Sequence, residues 1–187
     1  MARATLISER LVLRPPRLED ATAIYDGYAR DPEVARFVVW TPHRSLRDTR
    51  EFLKQFVALA DEDASFPWVM TLGADGTVIG AMHLRVHPPW TELGFNIARP
   101  HWNRGLGTEA VRAVIDFALA LPGIERVQAT CHVENHASAR VLEKAGMRRE
   151  GVLRRYLVFP NLGERAQDVC IYSVTGEDVQ ARTSAPD

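Results

Sequence analysis

The chain has 187 residues, of which 46% are hydrophobic and 25% charged, and its formal net charge is −1. That length suits one domain with a full core, and a charge so near zero gives no electrostatic basis for a nucleic-acid or membrane partner. Two cysteines, Cys131 and Cys170, each in an alternating apolar run, read as buried thiols, not a disulfide framework. The opening MARATLISERLVLR has no signal-peptide apolar segment and no run approaches a membrane span, so the expected location is the cytoplasm.

Leu11–Arg14 alternates and stops at Pro15-Pro16, which predicts a first strand. Leu18–Arg30 places Ala21, Ile24, Tyr25 and Tyr28 on one helical face, with Glu19 and Asp20 in the first turn, where carboxylates suit the positive helix end. Ser45 stands three residues before Asp48 as an N-cap, and Phe52, Leu53, Phe56, Val57 and Ala60 follow at helical spacing. The period then becomes two. Trp68–Leu72 and Val78–Val86 flank the turn GADG, and Thr91–Ile97 follows HPPW as a third strand. The next helix carries Val111, Val114, Ile115 and Ala118 on its apolar face and stops at Pro122-Gly123. Arg126–Val133 is a further strand, Ser138–Lys144 a short helix before Gly146, and Val152–Phe159 with Val169–Val174 a closing hairpin. Residues 1–175 thus form one domain, and the polar stretch 176–187 reads as a flexible tail. The order β-α-α-β-β-β-α-β-α-β-β belongs to an α+β (mixed α/β) fold.

Gly105 and Gly107 stand directly in front of an amphipathic helix. A helix N-terminus offers unpaired N–H groups and about half a positive charge, and glycine lets a phosphate approach it. The same pair would also serve a tight turn that aims the helix. Gly105 to Ala110 fits G-x-G-x-x-A, with Glu134 downstream where a ribose contact could lie. Against a dinucleotide site, Arg99–Arg104 separates the motif from its strand, the remaining chain is too short for a doubly wound sheet, and the preceding strands form a meander. A P-loop fails because no Gly-Lys-Ser/Thr follows. His132 and His136 straddle a strand end and the other histidines show no ligand spacing, so no metal is expected.

ELGFNIARPHWNRGLGTEA and NHASARVLEKAGM stand in order, one strand apart. With SERLVLRP near the start and GVLRRYLVF and DVCIYSV near the end, they resemble the GNAT superfamily of acyl-CoA-dependent N-acetyltransferases, and within it the RimJ/RimL type that acetylates ribosomal-protein N-termini. The resemblance runs from Ser8 to Val174. It implies the GNAT fold, a mostly antiparallel splayed sheet flanked by helices. A bulged strand, Thr91–Ile97, would splay from Arg126–Val133 to admit the pantetheine arm of acetyl-CoA. Backbone groups near Phe95 and Ile97 would pair with the arm, as an added strand does. Backbone N–H groups of Arg104, Gly105, Leu106, Gly107 and Thr108 would hold the pyrophosphate. Trp102 replaces the motif's usual first residue and leaves that backbone cradle intact. Asn135 matches a position whose amide contacts the cofactor, and it could equally cap the helix.

The implied reaction is attack of a neutral primary amine on the thioester through a tetrahedral intermediate, with a backbone N–H near Ile97 as oxyanion donor. Leu142 occupies the position of the tyrosine that protonates the thiolate in many members, so that acid is missing. Ser138 matches a serine near the sulfur in RimL-type enzymes and is the candidate thiolate donor, or else an ordinary helix-start serine. Glu92 is the one carboxylate on the strand facing the acceptor and a candidate base acting through water, or else a strand-end glutamate. The glutamates used by RimL-type and RimI-type enzymes fall on Leu157 and Thr130. Tyr156 is a further candidate for the acceptor pocket. An α-amine, with a pKa of about 7.7–8.0, needs less help from a base than a lysine near 10.4, which favours a protein N-terminus as acceptor. A polyamine or amino sugar as acceptor and a non-catalytic acyl-CoA-binding role are the alternatives to test, and a homodimer is the oligomer to test for.

Overall fold

The computed structural model describes residues 4–62 and 64–183. Among these, the strands are β1 (Leu6–Ile7), β2 (Leu11–Arg14), β3 (Ser65–Leu72), β4 (Val78–His87), β5 (Trp90–Ile97), β6 (Arg126–His132), β7 (Arg148–Leu157) and β8 (Gln167–Thr175). They form one sheet in the order β1-β2-β3-β4-β5-β6-β8-β7. Every neighbouring pair is antiparallel except β5 and β6. A parallel pair needs a crossover, and α4 (Leu106–Leu119) supplies it between them.

Strand alternation divides the core. On one face Trp68, Met70, Met82, Leu84 and Leu93 pack with the apolar stripe of α4 (Ala110, Val111, Val114, Ile115, Ala118) and with Leu142 and Ala145 of α5 (His136–Ala145). On the other, Val69, Ala81 and Ala98 meet Ala21 and Ile24 of α1 (Ala21–Ile24), Tyr28, Val34 of α2 (Pro32–Ala35), and Leu53 and Phe56 of α3 (Leu46–Ala58). Ser45 caps α3 as expected. Its hydroxyl accepts the Asp48 N–H at 3.3 Å, and Asp48 accepts the Ser45 N–H at 3.1 Å.

Four features differ from expectation. The run from Leu18 changes its winding from a 3₁₀ turn (Leu18–Asp20) through α1 to a π turn (Tyr25–Ala29). The two-residue β1 and four-residue α2 are too short to show a period. α5 begins two residues early because Asn135, not a later residue, is its cap. The tail expected to be flexible from Gly176 begins as a helix, α6 (Gly176–Thr183), anchored by Asp178, which accepts from Thr175 N–H and Oγ1 at 3.1 and 2.9 Å and pairs with Arg148 at 2.8 Å. Residues 184–187 lie outside the described residues.

Candidate active site

β5 and β6 pair at only three rungs, Trp90/Arg126, Thr91/Val127 and Glu92/Gln128. Beyond them β5 stays with β4 as far as Gly80/Ile97, and β6 stays with β8 as far as His132/Val169. The strands therefore splay, and from Leu93 to Ile97 one edge of β5 has no strand partner. The β4–β5 register runs without a shift, so β5 lacks the expected bulge and the opening comes from divergence of β6 alone. Ala98 N–H donates to Ile79 C=O at 2.7 Å. Antiparallel alternation then turns the N–H and C=O of Ile97, and two residues back those of Phe95, toward the opening. The Ile97 carbonyl already accepts the Trp102 indole N–H at 2.7 Å.

At the open end the backbone passes through left-handed Asn103 (φ 58°) and Gly105 (φ 76°) and enters α4 at Leu106. Ser45 and Asn135 cap α3 and α5, but among the described residues no side chain caps α4. The first-turn N–H groups of Leu106, Gly107 and Thr108 have no partner within the helix, and such an end accepts an anion. Glu109 would oppose one. Burial disfavours its ionised form, but bonds from Arg10 N–H (2.7 Å), Ser8 Oγ (2.8 Å) and the Arg10 guanidinium (2.7 Å) outweigh that and lower its pKa. Arg10 also donates to the Arg104 carbonyl at 3.0 Å. No local pattern marks Arg10, whose partner lies 99 residues away.

The two glycines serve different ends. Gly105 supplies the left-handed turn. A Cβ on Gly107 would lie 2.9 Å from Ile97 Cδ1 and 3.4 Å from both Val141 methyls. Gly107 thus lets α4 approach β5 and α5, a correction to the expectation that its bare backbone makes room for a ligand.

On the sheet face toward α1 and α3, β5 presents Glu92, Gly94 and Asn96. A Cβ on Gly94 would meet nothing within 4 Å, so this face is open just past the last shared rung. Glu92 is half-buried at that rung. Ser138 sits in the first turn of α5, its N–H donating to Asn135 Oδ1 at 3.1 Å, so Asn135 acts as the cap. The Ser138 hydroxyl lies beside the Cys131 thiol, which burial, with Cys170 adjacent, pushes up to about 12. Cys131 and Cys170 are buried, free and cross-strand partners. Leu142 is fully buried in the core. Tyr156 is 53% exposed on the edge strand β7, and among the described residues no hydrogen bond or ring contact ties it to the opening.

Two histidines on this face read from the sequence only as lacking metal-ligand spacing. His83 Nε2 lies 2.7 Å from Ser65 Oγ, and burial, with Arg85 adding to it, pushes its pKa down to about 4. His132 lines a cavity of about 650 Å³ past the end of β6, with Val133, Glu134, Arg155, Gln167 and Asp168. A histidine in an alternating strand gives the same pattern whether it fills a core or faces a ligand. Among the described residues no cluster of three or more His, Cys, Asp or Glu could hold a metal ion, and no helix is long and apolar enough to cross a membrane.

Residues 10–148 match the acetyltransferase (GNAT) domain family. The chain belongs to the GNAT acetyltransferase family. This GNAT enzyme is 30% identical over 155 residues to an uncharacterised N-acetyltransferase p20 of Bacillus licheniformis, covering 81% of this chain and 86% of that one. Its fold is similar to that of a GNAT-family acetyltransferase from Bacillus anthracis (TM-score 0.80, 24% identity, 93% and 99% of the two chains). It is similar also to Mycobacterium smegmatis RimJ in complex with CoA-disulfide (TM-score 0.82, 22% identity, 95% and 90%).

Proposed function

We propose that this acetyltransferase uses acetyl-CoA to acetylate protein N-terminal α-amines. One observation carries the cofactor: the β5–β6 ladder stops at Glu92/Gln128, and the opening leads to a helix whose first-turn N–H groups are uncapped. The N–H groups of Leu106, Gly107 and Thr108 hold the pyrophosphate, and the backbone of Phe95 and Ile97 pairs with the pantetheine amides. Acetyl-CoA supplies an acetyl thioester; a C–N bond forms to the amine as the C–S bond breaks and the thiolate leaves. A further backbone N–H of β5 directed into the opening serves the developing oxyanion. Ser138 donates to the leaving thiolate, helped by the positive end of α5. Glu92 takes the amine proton through water.

The acceptor follows from how little acid–base machinery faces the opening. His83 is held neutral and is a weak base, and Leu142, Leu157 and Thr130 stand where relatives by resemblance carry their acid and bases. An α-amine with a pKa of about 7.7–8.0 is already about a quarter neutral near pH 7.4 and needs chiefly positioning. The resemblance of the sequence motifs to RimJ/RimL-type enzymes is in keeping with such an acceptor. Acetyl-CoA turnover, read as free thiol, tests this with Ala- and Ser-initiated peptides, an N-blocked lysine peptide and spermidine. The initiated peptides should react, at a rate rising across about pH 7–8.5 as the amine deprotonates. Turnover of spermidine alone would overturn the acceptor, and no thiol release from any amine would overturn the transfer.

A further inference from the structure

Cys131 and His132 are consecutive on β6, so their side chains leave opposite faces of the sheet. Cys131 belongs to the core cluster beside Ser138 and α5, the side proposed for the thioester sulfur. His132 faces the other way, toward α2 and the β7–β8 connection. Its residue is 5% exposed and its ring is clamped, 5.0 Å from Phe37 at 24° and 5.1 Å from Phe159 at 90°. Asn161 ties that connection to the segment around α2, its Nδ2 donating to the Ala35 and Trp40 carbonyls at 2.6 and 2.8 Å.

His132 Nδ1 accepts the Glu134 N–H at 3.1 Å. A ring nitrogen that accepts carries no proton, so the neutral ring holds its proton on Nε2. Burial lowers the pKa of the ring; Glu134 and Asp168 oppose this and Arg36 adds to it. Among the described residues nothing pairs with Nε2, and Nε2 is not one of the buried atoms without a partner, which are Tyr28 Oη, Asn96 Nδ2 and His101 Nδ1. That N–H is therefore unpaired and not sealed off, on a residue that lines the cavity. The charges at the cavity are balanced, Arg155 and Arg165 against Glu134 and Asp168, and Asp168 is already engaged by the Arg155 N–H at 2.8 Å. A balanced rim selects for no net charge. A single fixed N–H selects for a carbonyl.

We propose that His132 determines acceptor specificity: its Nε2–H donates to a main-chain carbonyl of the acceptor, so that peptide N-termini are taken over plain alkylamines. This rests on the acetyl-transfer reading above and deepens it. A site built around a buried donor rejects analogues that leave it unpaired.

The test pairs an alanyl tetrapeptide amide with isopropylamine, which has a methyl group where alanine has its carbonyl. Each substrate is compared with itself across variants, so amine pKa cancels. His132→Phe keeps a ring between Phe37 and Phe159 and removes the donor. It should lower kcat/KM for the peptide about tenfold or more while changing that for isopropylamine less than about twofold, and His132→Gln should recover part of the loss. An unchanged melting-temperature rise with acetyl-CoA shows each variant folded. Equal losses on both substrates, or no loss on the peptide, overturn the proposal. Nitrogen-15 NMR of the histidine rings in the unaltered protein tests it independently: Nε2–H should shift with peptide and not with isopropylamine, and a proton found on Nδ1 overturns it. Acetylation of isopropylamine without the peptide would overturn this specificity and spare the transferase, whereas failure on every amine would remove both.

Discussion

Replacing Gly107 by alanine probes how α4 is seated. The new Cβ would stand 2.9 Å from Ile97 Cδ1 and 3.4 Å from Cγ1 and Cγ2 of Val141. Carbon atoms are comfortable at about 3.5–4.0 Å, so the contact with Ile97 is short by about 0.6 Å or more. Helix propensity favours alanine by about 1 kcal/mol, and overpacking costs about 1–3 kcal/mol, for a net loss of about 0–2 kcal/mol. Ile97→Val removes the offending methyl and alone costs about 0.5–1.5 kcal/mol. In the double variant the alanine methyl occupies the vacated space, so the losses should fall short of additive by about 1–2 kcal/mol. Urea unfolding of the four proteins without ligand measures this. Because the alanine methyl points into the protein, the double variant should keep its acetyl-CoA-dependent rise in melting temperature. Additivity within about 0.5 kcal/mol, or loss of that rise, would refute the packing role of Gly107.

Ser138→Ala should lower kcat about tenfold with little change in KM for acetyl-CoA, and an effect below about twofold in steady-state assays would confine Ser138 to structure. Arg10→Ala leaves the Glu109 carboxylate less compensated beside the α4 end, so the melting-temperature rise with acetyl-CoA should shrink; an unchanged rise would exclude Arg10 from tuning that site. His83 titrates at about 4 in the folded chain against 6.5 unfolded. As pH falls the unfolded chain binds its proton first, so its contribution, about 3 kcal/mol, is full above pH 6.5 and is lost down to about pH 4. Urea titrations across that window should show His83→Gln with a flatter slope, and an unchanged slope would mean His83 is not buried neutral.

The long alternating strands and the stripe of α4 were legible because burial imposes a period on many residues at once. The neighbour order β6-β8-β7 was not, since alternation records a face and says nothing of which strand lies alongside. α6 was missed although Thr175, three residues before Asp178, is a local cap; the Arg148 that also anchors Asp178 comes from another strand. In the site, the uncapped glycine entry to α4 was visible in Trp102–Thr108. What Gly107 makes room for was not, because Ile97 and Val141 reach it from two other elements. Arg10 stayed hidden for the same reason, and the tautomer of His132 depends on a single backbone N–H from Glu134.

The most direct test of the cofactor site is amide NMR of the labelled protein titrated with acetyl-CoA. The N–H signals of Leu106, Gly107 and Thr108, together with those of Phe95 and Ile97, should move together and saturate, while NADH leaves them in place. Movement of these signals with NADH and not with acetyl-CoA, or saturable acetyl-CoA binding that leaves all five unmoved, would contradict the account.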